Sequence, residues 1–472
     1  MYYYFHTKPF KHQKKALKLS LKRGSFGYLM EPGSGKTKPA IDYIGCRHLR
    51  DKHNKILVLA PKSVIGVWED QIAEHLPPSI KRTVIRLEGS RRKTLINQYK
   101  NPDSLTIFLI SYDSAWRSKK DLVKWKPDGV IADESHYIKG ATSKRSRGAI
   151  AIRMVAQWGM ILTGTFMSKN PLDAYAQLRF IDPDIFPMSW TKFKERYAVW
   201  IKMPGGWYKI KRFKRMHELK KIIRENCIIV YKKDVLDLPQ QTDQIIPVEM
   251  PPKAWKYYRQ LKNEHLLEFK EGKVRAKLIV TELLRYHQIT SGFLSVETGK
   301  YDHRNNPIRK DVFIHDAKIK ALMELVQIHR EYGEKIIVFC RFRWEVDQIC
   351  KALKKERISH AVIDGRIPNR ERDQIRHDFQ SGKYDVAVLN IGAGGVGITL
   401  TAANIAIFYS LTFQYDHYKQ ARDRIHRPGQ EQKVTYYHLI VKGSIDEKII
   451  KSLGQKKSLA DEITPSNWSE FV

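Results

Sequence analysis

The chain has 472 residues, enough for about three average domains or two large ones with insertions. Hydrophobic residues make up 42% and aromatic residues 11%, which excludes a mainly disordered chain. The 85 Lys and Arg residues outweigh 50 Asp and Glu to leave a formal net charge of +35, an excess that points to a polyanionic partner, nucleic acid first, rather than to a membrane surface.

The N-terminal stretch Met1 to Lys22 lacks a long apolar core and a cleavage site, so no signal peptide is expected. Tyr28-Leu29-Met30 is a short apolar run that leads through Glu31-Pro32 into Gly33-Ser34-Gly35-Lys36-Thr37 and then a helical pattern, Thr37–Leu49. This ends in the Gly-Lys-Thr of a P-loop but lacks the first glycine of GxxxxGK[ST]. Glycines let backbone N–H groups form the concave cradle that phosphates need, and the following helix N-terminus adds favourable partial charge. Gly33, Ser34 and Gly35 would line that cradle, Lys36 would reach the β- and γ-phosphates of ATP, and Thr37 would hold Mg²⁺.

Apolar runs at Lys55–Ala60, Leu105–Ser111, Gly129–Ala132 and Met160–Thr163 read as strands covered on both faces, as in a parallel sheet. Val67–His75 reads as a helix between them, with Trp68 packing in it rather than serving as a stacking platform. The third run leads into Asp133-Glu134-Ser135-His136. Two carboxylates at the C-terminal end of a strand stand where open α/β sheets bind ligands. Asp133 can enter the Mg²⁺ shell and Glu134 can polarise an attacking water.

From about Asp182 to Gln288 the pattern turns mainly helical and strongly basic, with Trp190–Trp200, Met216–Asn226, Lys253–Lys270 and Lys273–Ile289 as helices and Leu238–Pro252 as a connecting seam. Lys209-Ile210-Lys211-Arg212-Phe213-Lys214-Arg215, after Gly205-Gly206-Trp207-Tyr208, reads equally well as a DNA-tracking patch and as a solvated hairpin.

The α/β alternation then resumes. Strands are expected at Lys335–Cys340, Ala361–Ile363, Val386–Leu389, Ile405–Tyr409 and Val434–Ile440, and helices at Ala317–Arg330, Trp344–Lys355 and Arg370–Phe379. Val386 to Tyr415 carries no charge, but its glycines and polar residues fit strand, glycine loop, short helix and strand better than a membrane span. Arg424 and Arg427 stand three apart, a helical spacing that would aim both guanidinium groups at one transferring phosphoryl group. Cys46, Cys227, Cys340 and Cys350 form no CxxC pair, so a reducing, intracellular setting is expected and a Cys-based zinc site is not.

The ordered set resembles the SNF2 (Swi2/Snf2) family of superfamily 2 helicase-like ATPases. The resemblance rests on the P-loop, the Asp133–His136 box, Leu162-Thr163-Gly164-Thr165, Lys232 to Pro239, the Ile391–Ala403 stretch and the Arg424/Arg427 segment. It implies an α/β fold of two RecA-like, doubly wound parallel-sheet lobes. The expected division is residues 1–181 for lobe one, 182–312 for a helical insertion and connector, 313–455 for lobe two, and 456–472 for a tail.

By position, the resemblance makes Gln13 an adenine-reading residue and adds Gly397 to the nucleotide contacts. His136, Thr163 and Thr165 couple the ATP site to DNA, and Lys62, Ser63, Ser111, Tyr112, Arg341, Asp364, Gly392, Gly394 and Gly395 face DNA. Three departures stand out: Ser34 within the P-loop, Val230-Tyr231 where the family has paired arginines, and Thr412-Phe413-Gln414 in place of its Trp-Asn-Pro.

The implied protein is a minimal motor of bacterial or phage type. It is expected to be a monomer that hydrolyses ATP with Mg²⁺ and grips double-stranded DNA through phosphates with little sequence preference. The cytoplasm or nucleoid is its expected place in a bacterium and the nucleus in a eukaryote. Two other functions are compatible with the sequence: a strand-separating helicase on DNA or RNA, and an ATP-independent nucleic-acid scaffold. The first needs a wedge, and apart from Gly205–Tyr208 no aromatic-tipped hairpin is evident. The intact ATP-site residues argue against the second.

Overall fold

The computed structural model describes residues 3–167, 170–203, 206, 208–235, 238–270, 276–303, 305–392 and 399–455, with side chains described for all of these except 264–270 and 276–281. The chain divides into two compact units, Met1–Asp237 and Leu238–Val472.

Unit one is built on a seven-stranded parallel sheet. In chain order its strands are β1 (Phe26–Met30), β2 (Lys55–Ala60), β3 (Arg82–Arg86), β4 (Leu105–Ser111), β5 (Gly129–Asp133) and β6 (Trp158–Thr163). A separate antiparallel hairpin follows, β7 (Ala198–Lys202) with β8 (Tyr208–Phe213), and β9 (Cys227–Val230) then completes the sheet. The spatial order is β3-β4-β2-β5-β6-β1-β9. Strands β1, β5 and β6 are buried at every position, as continuous apolar runs sandwiched between helices require. Register sets the site: Leu29 of β1 pairs with Thr163 of β6, and Asp133 of β5 with Leu162, so the three strands end side by side at one carboxyl edge.

Unit two carries β10 (Gln241–Val248), a second hairpin of β11 (Phe293–Tyr301) and β12 (Pro307–Phe313), then β13 (Ile336–Cys340), β14 (His360–Ile363), β15 (Val386–Asn390), β16 (Ile405–Phe408) and β17 (Val434–Val441). Its six-stranded sheet is also parallel, in the order β10-β17-β16-β13-β15-β14. Among the described residues no helix is long and apolar enough to cross a membrane. The uncharged stretch after Val386 supplies β15 and β16, and no helix lies between them among the described residues.

The two doubly wound sheets are the α/β architecture expected. The stretch from Asp182 to Gln288 is less helical than expected: the β7–β8 hairpin and strands β9 and β10 lie within it, and the β11–β12 hairpin follows it. The segment expected to be a connector is shared between the units, with the division falling at residues 237 and 238.

A buried ionic cluster holds unit two together. Asp446, at the start of helix Ile445–Gly454, accepts from Lys318 Nζ at 2.6 Å, Thr290 Oγ1 at 2.9 Å and the Val441 amide at 3.2 Å. Lys318 belongs to helix Ala317–Glu331 and also donates to the Tyr409 carbonyl. Both charges are about 1% exposed. Removing one member of such a pair leaves the other buried without a counter-charge. Asp446→Ala is therefore expected to destabilise unit two by about 3–5 kcal/mol, measured as a leftward shift of its transition in chemical denaturation of the full chain; an unchanged midpoint would mean the cluster contributes little.

Candidate active site

The loop after β1 is shaped by backbone that only glycine adopts cheaply. Gly33 and Gly35 have φ of 82° and 77°. A Cβ on Gly35 would lie 2.5 Å from Gln13 Nε2. Ser34 turns inward: its hydroxyl donates to the Glu31 carbonyl at 2.7 Å, so the departure at this position braces the loop and leaves the cradle open. Helix Lys11–Arg23 supports the loop from behind, with Gln13 Nε2 donating to the Gly35 carbonyl at 2.9 Å and His12 Nε2 lying 2.8 Å from the Ser34 carbonyl. The other end of the Gln13 amide accepts from the Phe10 N–H. Gln13 is thus joined to the phosphate loop itself, whatever it does toward adenine.

Lys36 reaches across to the end of β5, where its Nζ donates to Glu134 Oε1 at 2.9 Å. Glu134 has φ of 51°, a left-handed backbone that is costly for a residue with a side chain and typical of functional turns. Burial alone would raise its carboxyl, but Lys36 and then His136, 3.3 Å away, outweigh this and hold it low. Asp133 beside it is raised, chiefly by burial and with Glu134 adding to it against the pull of Lys36. The two adjacent carboxylates are therefore driven apart in acidity, the pattern by which one fold assigns different roles to like groups.

Asp133 is held from three sides. Its Oδ2 accepts from Trp68 Nε1 at 2.9 Å, its Oδ1 from the Glu134 amide at 2.9 Å, and its carbonyl from the Tyr112 hydroxyl at 2.7 Å. Trp68, in helix Ile65–His75, is fully buried, so the expected packing role is real but incomplete: its indole also orients the carboxylate. The motif Trp68-Glu69-Asp70 gave no sign of this, because only the fold brings residue 68 to residue 133. Each Asp133 oxygen keeps a lone pair, and with the Thr37 hydroxyl these oxygens suit a hard divalent cation. Mg²⁺ bound there would neutralise phosphate charge.

A second path leaves Glu134 through His136, whose Nδ1 lies 3.2 Å from Thr165 Oγ1 and 3.5 Å from Thr163 Oγ1. Gly164 between them packs so tightly on the phosphate loop that a Cβ would fall 2.5 Å from Pro32 Cδ. Tyr137 stacks on Tyr112 with centroids 5.6 Å apart, and Ser111 caps the helix that Tyr112 begins. His136, Thr163, Thr165 and Tyr112 thus form one contact network with the carboxylates, and Ser111 stands beside it as the cap of the Tyr112 helix. Lys62 and Ser63 stand on the short turn of helix after β2.

In unit two, Arg341 follows β13 and lies over the Phe413 ring at 3.8 Å, with burial lowering its guanidinium to about 10. The departure at Thr412-Phe413-Gln414 therefore supplies the platform for this arginine. Asp364 is fully buried and accepts from Arg366 through both backbone and side chain, so it braces its own loop. Gly392 follows β15 with its amide on Asn390 Oδ1, while Gly394, Gly395 and Gly397 lie outside the described residues.

The arginines correct one expectation. Helix Tyr415–Arg422 ends before them, and Arg424 and Arg427 sit in successive turns rather than on one helical face. Tertiary packing brings them together instead. Burial lowers Arg424 to about 10 and Arg427 adds to it, while Arg427 is itself lowered by burial, with Asp423 pulling it back up and Arg376 from helix Asn369–Gln380 pushing it down. Sequence reasoning missed Arg376, which is separated from the other two by about fifty positions.

Residues 12–291 match the SNF2-related domain, and residues 317–429 the helicase conserved C-terminal domain. Among relatives, the SWI/SNF-related matrix-associated actin-dependent regulator of chromatin subfamily A-like protein 1 of Xenopus tropicalis is 28% identical over 447 residues, covering 93% of this chain and 43% of that protein. The putative ATP-dependent helicase/translocase YwqA of Bacillus subtilis is 28% identical over 472 residues, covering 95% and 48%. The Sulfolobus solfataricus SWI2/SNF2 ATPase core in complex with dsDNA is 23% identical with a TM-score of 0.46, covering 100% of this chain and 96% of that one. The chain spans about half the length of the curated relatives it matches.

Two parallel-sheet units, one with a phosphate loop facing paired carboxylates and the other with clustered arginines, define a helicase-like P-loop ATPase. Within that class, the chain belongs to the SNF2-related family.

The Trp68 contact is directly testable. Trp68→Phe keeps the ring and removes only the N–H, leaving one Asp133 oxygen without its partner, a loss of about 1–3 kcal/mol for a buried group. Hydrolysis is expected to fall by about tenfold in a phosphate-release assay, the 1.4 kcal/mol equivalent, with the fold intact by circular dichroism. Wild-type turnover in the variant would reduce Trp68 to a packing residue.

Proposed function

We propose that this chain is a DNA-stimulated ATPase that moves along double-stranded DNA without separating its strands. The observation that carries the reading is the 2.9 Å pair between Lys36 and Glu134 at the carboxyl edge, wired through Asp133 and His136 to Tyr112 and Thr165. The phosphate-binding cation and the water-orienting carboxylate neutralise each other in this state. A γ-phosphate arriving at Lys36 replaces Glu134 as its anionic partner and frees the Glu134 carboxylate to orient water for in-line attack. Thr37 and Asp133 would hold Mg²⁺, which would supply charge neutralisation at the phosphates.

Arg424 and Arg427 are the arginines we assign to the charge of the transferring phosphoryl group. Lys62, Ser63, Ser111, Arg341 and the glycines from Gly392 onward serve as phosphate-facing groups, which position the motor without reading sequence. The +35 charge fits that partner. The names of the relatives, an ATP-dependent helicase/translocase and a chromatin regulator, point the same way.

A helicase reading has one structural observation in its favour. The β11–β12 hairpin projects with Tyr301, 62% exposed, at its distal end, so an aromatic-tipped hairpin is present where the sequence showed none. Separating strands costs about 1.4 kcal/mol of stacking per base-pair step. The two readings part in a displacement assay. ATP-dependent release of a third strand from a triplex, with a forked duplex left paired, is the expected outcome. Efficient fork unwinding without triplex displacement would establish the helicase instead.

The chemistry is tested separately. Glu134→Gln is expected to bind ATP with near-normal affinity and lose most turnover. Arg424→Ala or Arg427→Ala is expected to lower kcat by about 10³-fold. Near-normal turnover in all three would sink the assignment.

A further inference from the structure

Residues 190–226 contain twelve Lys and Arg but three Glu. About a quarter of the net charge therefore sits on fewer than a tenth of the residues. The segment folds as helix Trp190–Tyr197, the β7–β8 hairpin and helix Met216–Asn226. It is firmly anchored: Phe193, Tyr197, Ala198, Leu219 and Ile223 are at most 3% exposed in the core of unit one.

With the apolar side chains inward, the cations are left outward. Along β8 and the turn after it, Lys209, Lys211, Arg212 and Lys214 are exposed, with Ile210 and Phe213 partly buried between them. On the second helix His217, Lys220, Lys221 and Arg224 follow i, i+3, i+4, i+7 spacing, which places them on one face opposite Leu219 and Ile223. This exposed stripe borders a surface hollow of about 380 Å³, with Glu225 at its side. Glu218 is consumed internally by Arg196 at 2.9 and 3.0 Å and by the Tyr197 hydroxyl at 2.6 Å. Among the described residues, none of Lys211, Arg212, Lys214, Lys220, Lys221 and Arg224 has a carboxylate within ion-pairing distance.

We propose that this helix–hairpin–helix module is an accessory grip for duplex DNA, holding backbone phosphates outside the loops at the strand ends. Like charges crowded on a rigid scaffold raise the local potential and are stabilised by a polyanion, and the anchoring means that little ordering entropy is lost on contact. None of these residues belongs to the nucleotide site or to the DNA-facing motifs. The proposal rests on the DNA-motor reading for its partner, and it adds a second point of attachment whose contribution is to affinity rather than to the chemical step.

The test is duplex binding by fluorescence anisotropy between 50 and 200 mM salt on the full chain, beside ATP turnover at saturating duplex. Replacing Lys220, Lys221 and Arg224 together by Ala is expected to weaken binding about tenfold near 100 mM salt and to flatten the log–log salt slope by about two to three, at roughly 0.9 for each phosphate no longer neutralised. kcat at saturating DNA is expected to stay within about twofold of wild type, because the grip enters before the step that DNA stimulates. A companion variant with Lys220→Arg and Lys221→Arg keeps the charge and should bind as wild type does. Unchanged affinity and slope in the Ala variant would overturn the proposal, including in favour of an acidic protein as the partner. Absence of duplex-stimulated hydrolysis in wild type would instead sink the motor reading, while the binding comparison would still judge the grip.

Discussion

The site depends first on the alignment of strand ends β1, β5 and β6. Parallel pairing with Leu29 opposite Thr163 and Asp133 opposite Leu162 makes the phosphate loop, the carboxylates and the Thr163–Thr165 turn emerge together. No one of these segments forms a site alone. Their side chains meet because a parallel sheet places the ends of its strands at a single edge. The buried Lys36–Glu134 pair is one product of this alignment, and the tight fit of Gly164 against Pro32 is another.

The carboxylates are tied to side chains beyond the phosphate loop. Tyr112 touches Asp133 through a backbone carbonyl and stacks on Tyr137, while His136 stands between Glu134 and Thr165. Any ligand that moves Glu134 off Lys36 changes what His136 faces. In unit two, burial lowers both Arg424 and Arg427, with Asp423 opposing it at Arg427, and Arg341 packs against Phe413.

The sheets were legible because their central strands are uninterrupted apolar runs: Lys55–Ala60 and Leu105–Ser111 match from end to end. Of the edge strands, only β14 was. Arg82–Arg86 is half-buried throughout, Gln241–Val248 is largely exposed, and neither carries the continuous signal of a covered strand. The β11–β12 hairpin escaped for the same reason, since β12 is exposed at every position, whereas the glycine turn before Lys209–Arg215 had offered a hairpin as one of two readings. At the site, the motif residues were readable in local sequence, whereas Trp68 and Arg376 act across long separations that only packing creates. The spacing of Arg424 and Arg427 misled because three residues apart fits a turn as well as a helix.

The order of strands in unit two bears on how the protein is made. β17, the last strand among the described residues, lies between β10 and β16 rather than at an edge. Asp446, just beyond it, pairs with Lys318, 128 positions earlier. During synthesis β13, β15 and β16 therefore leave the ribosome with one flank of their sheet unfilled, and β10 has no partner until β17 appears. Unit one, complete by residue 237, can close while its neighbour is still being translated. The nascent second unit exposes apolar strand surface for nearly its whole length, which makes it the part of the molecule most in need of chaperones and most prone to aggregate when translation stalls.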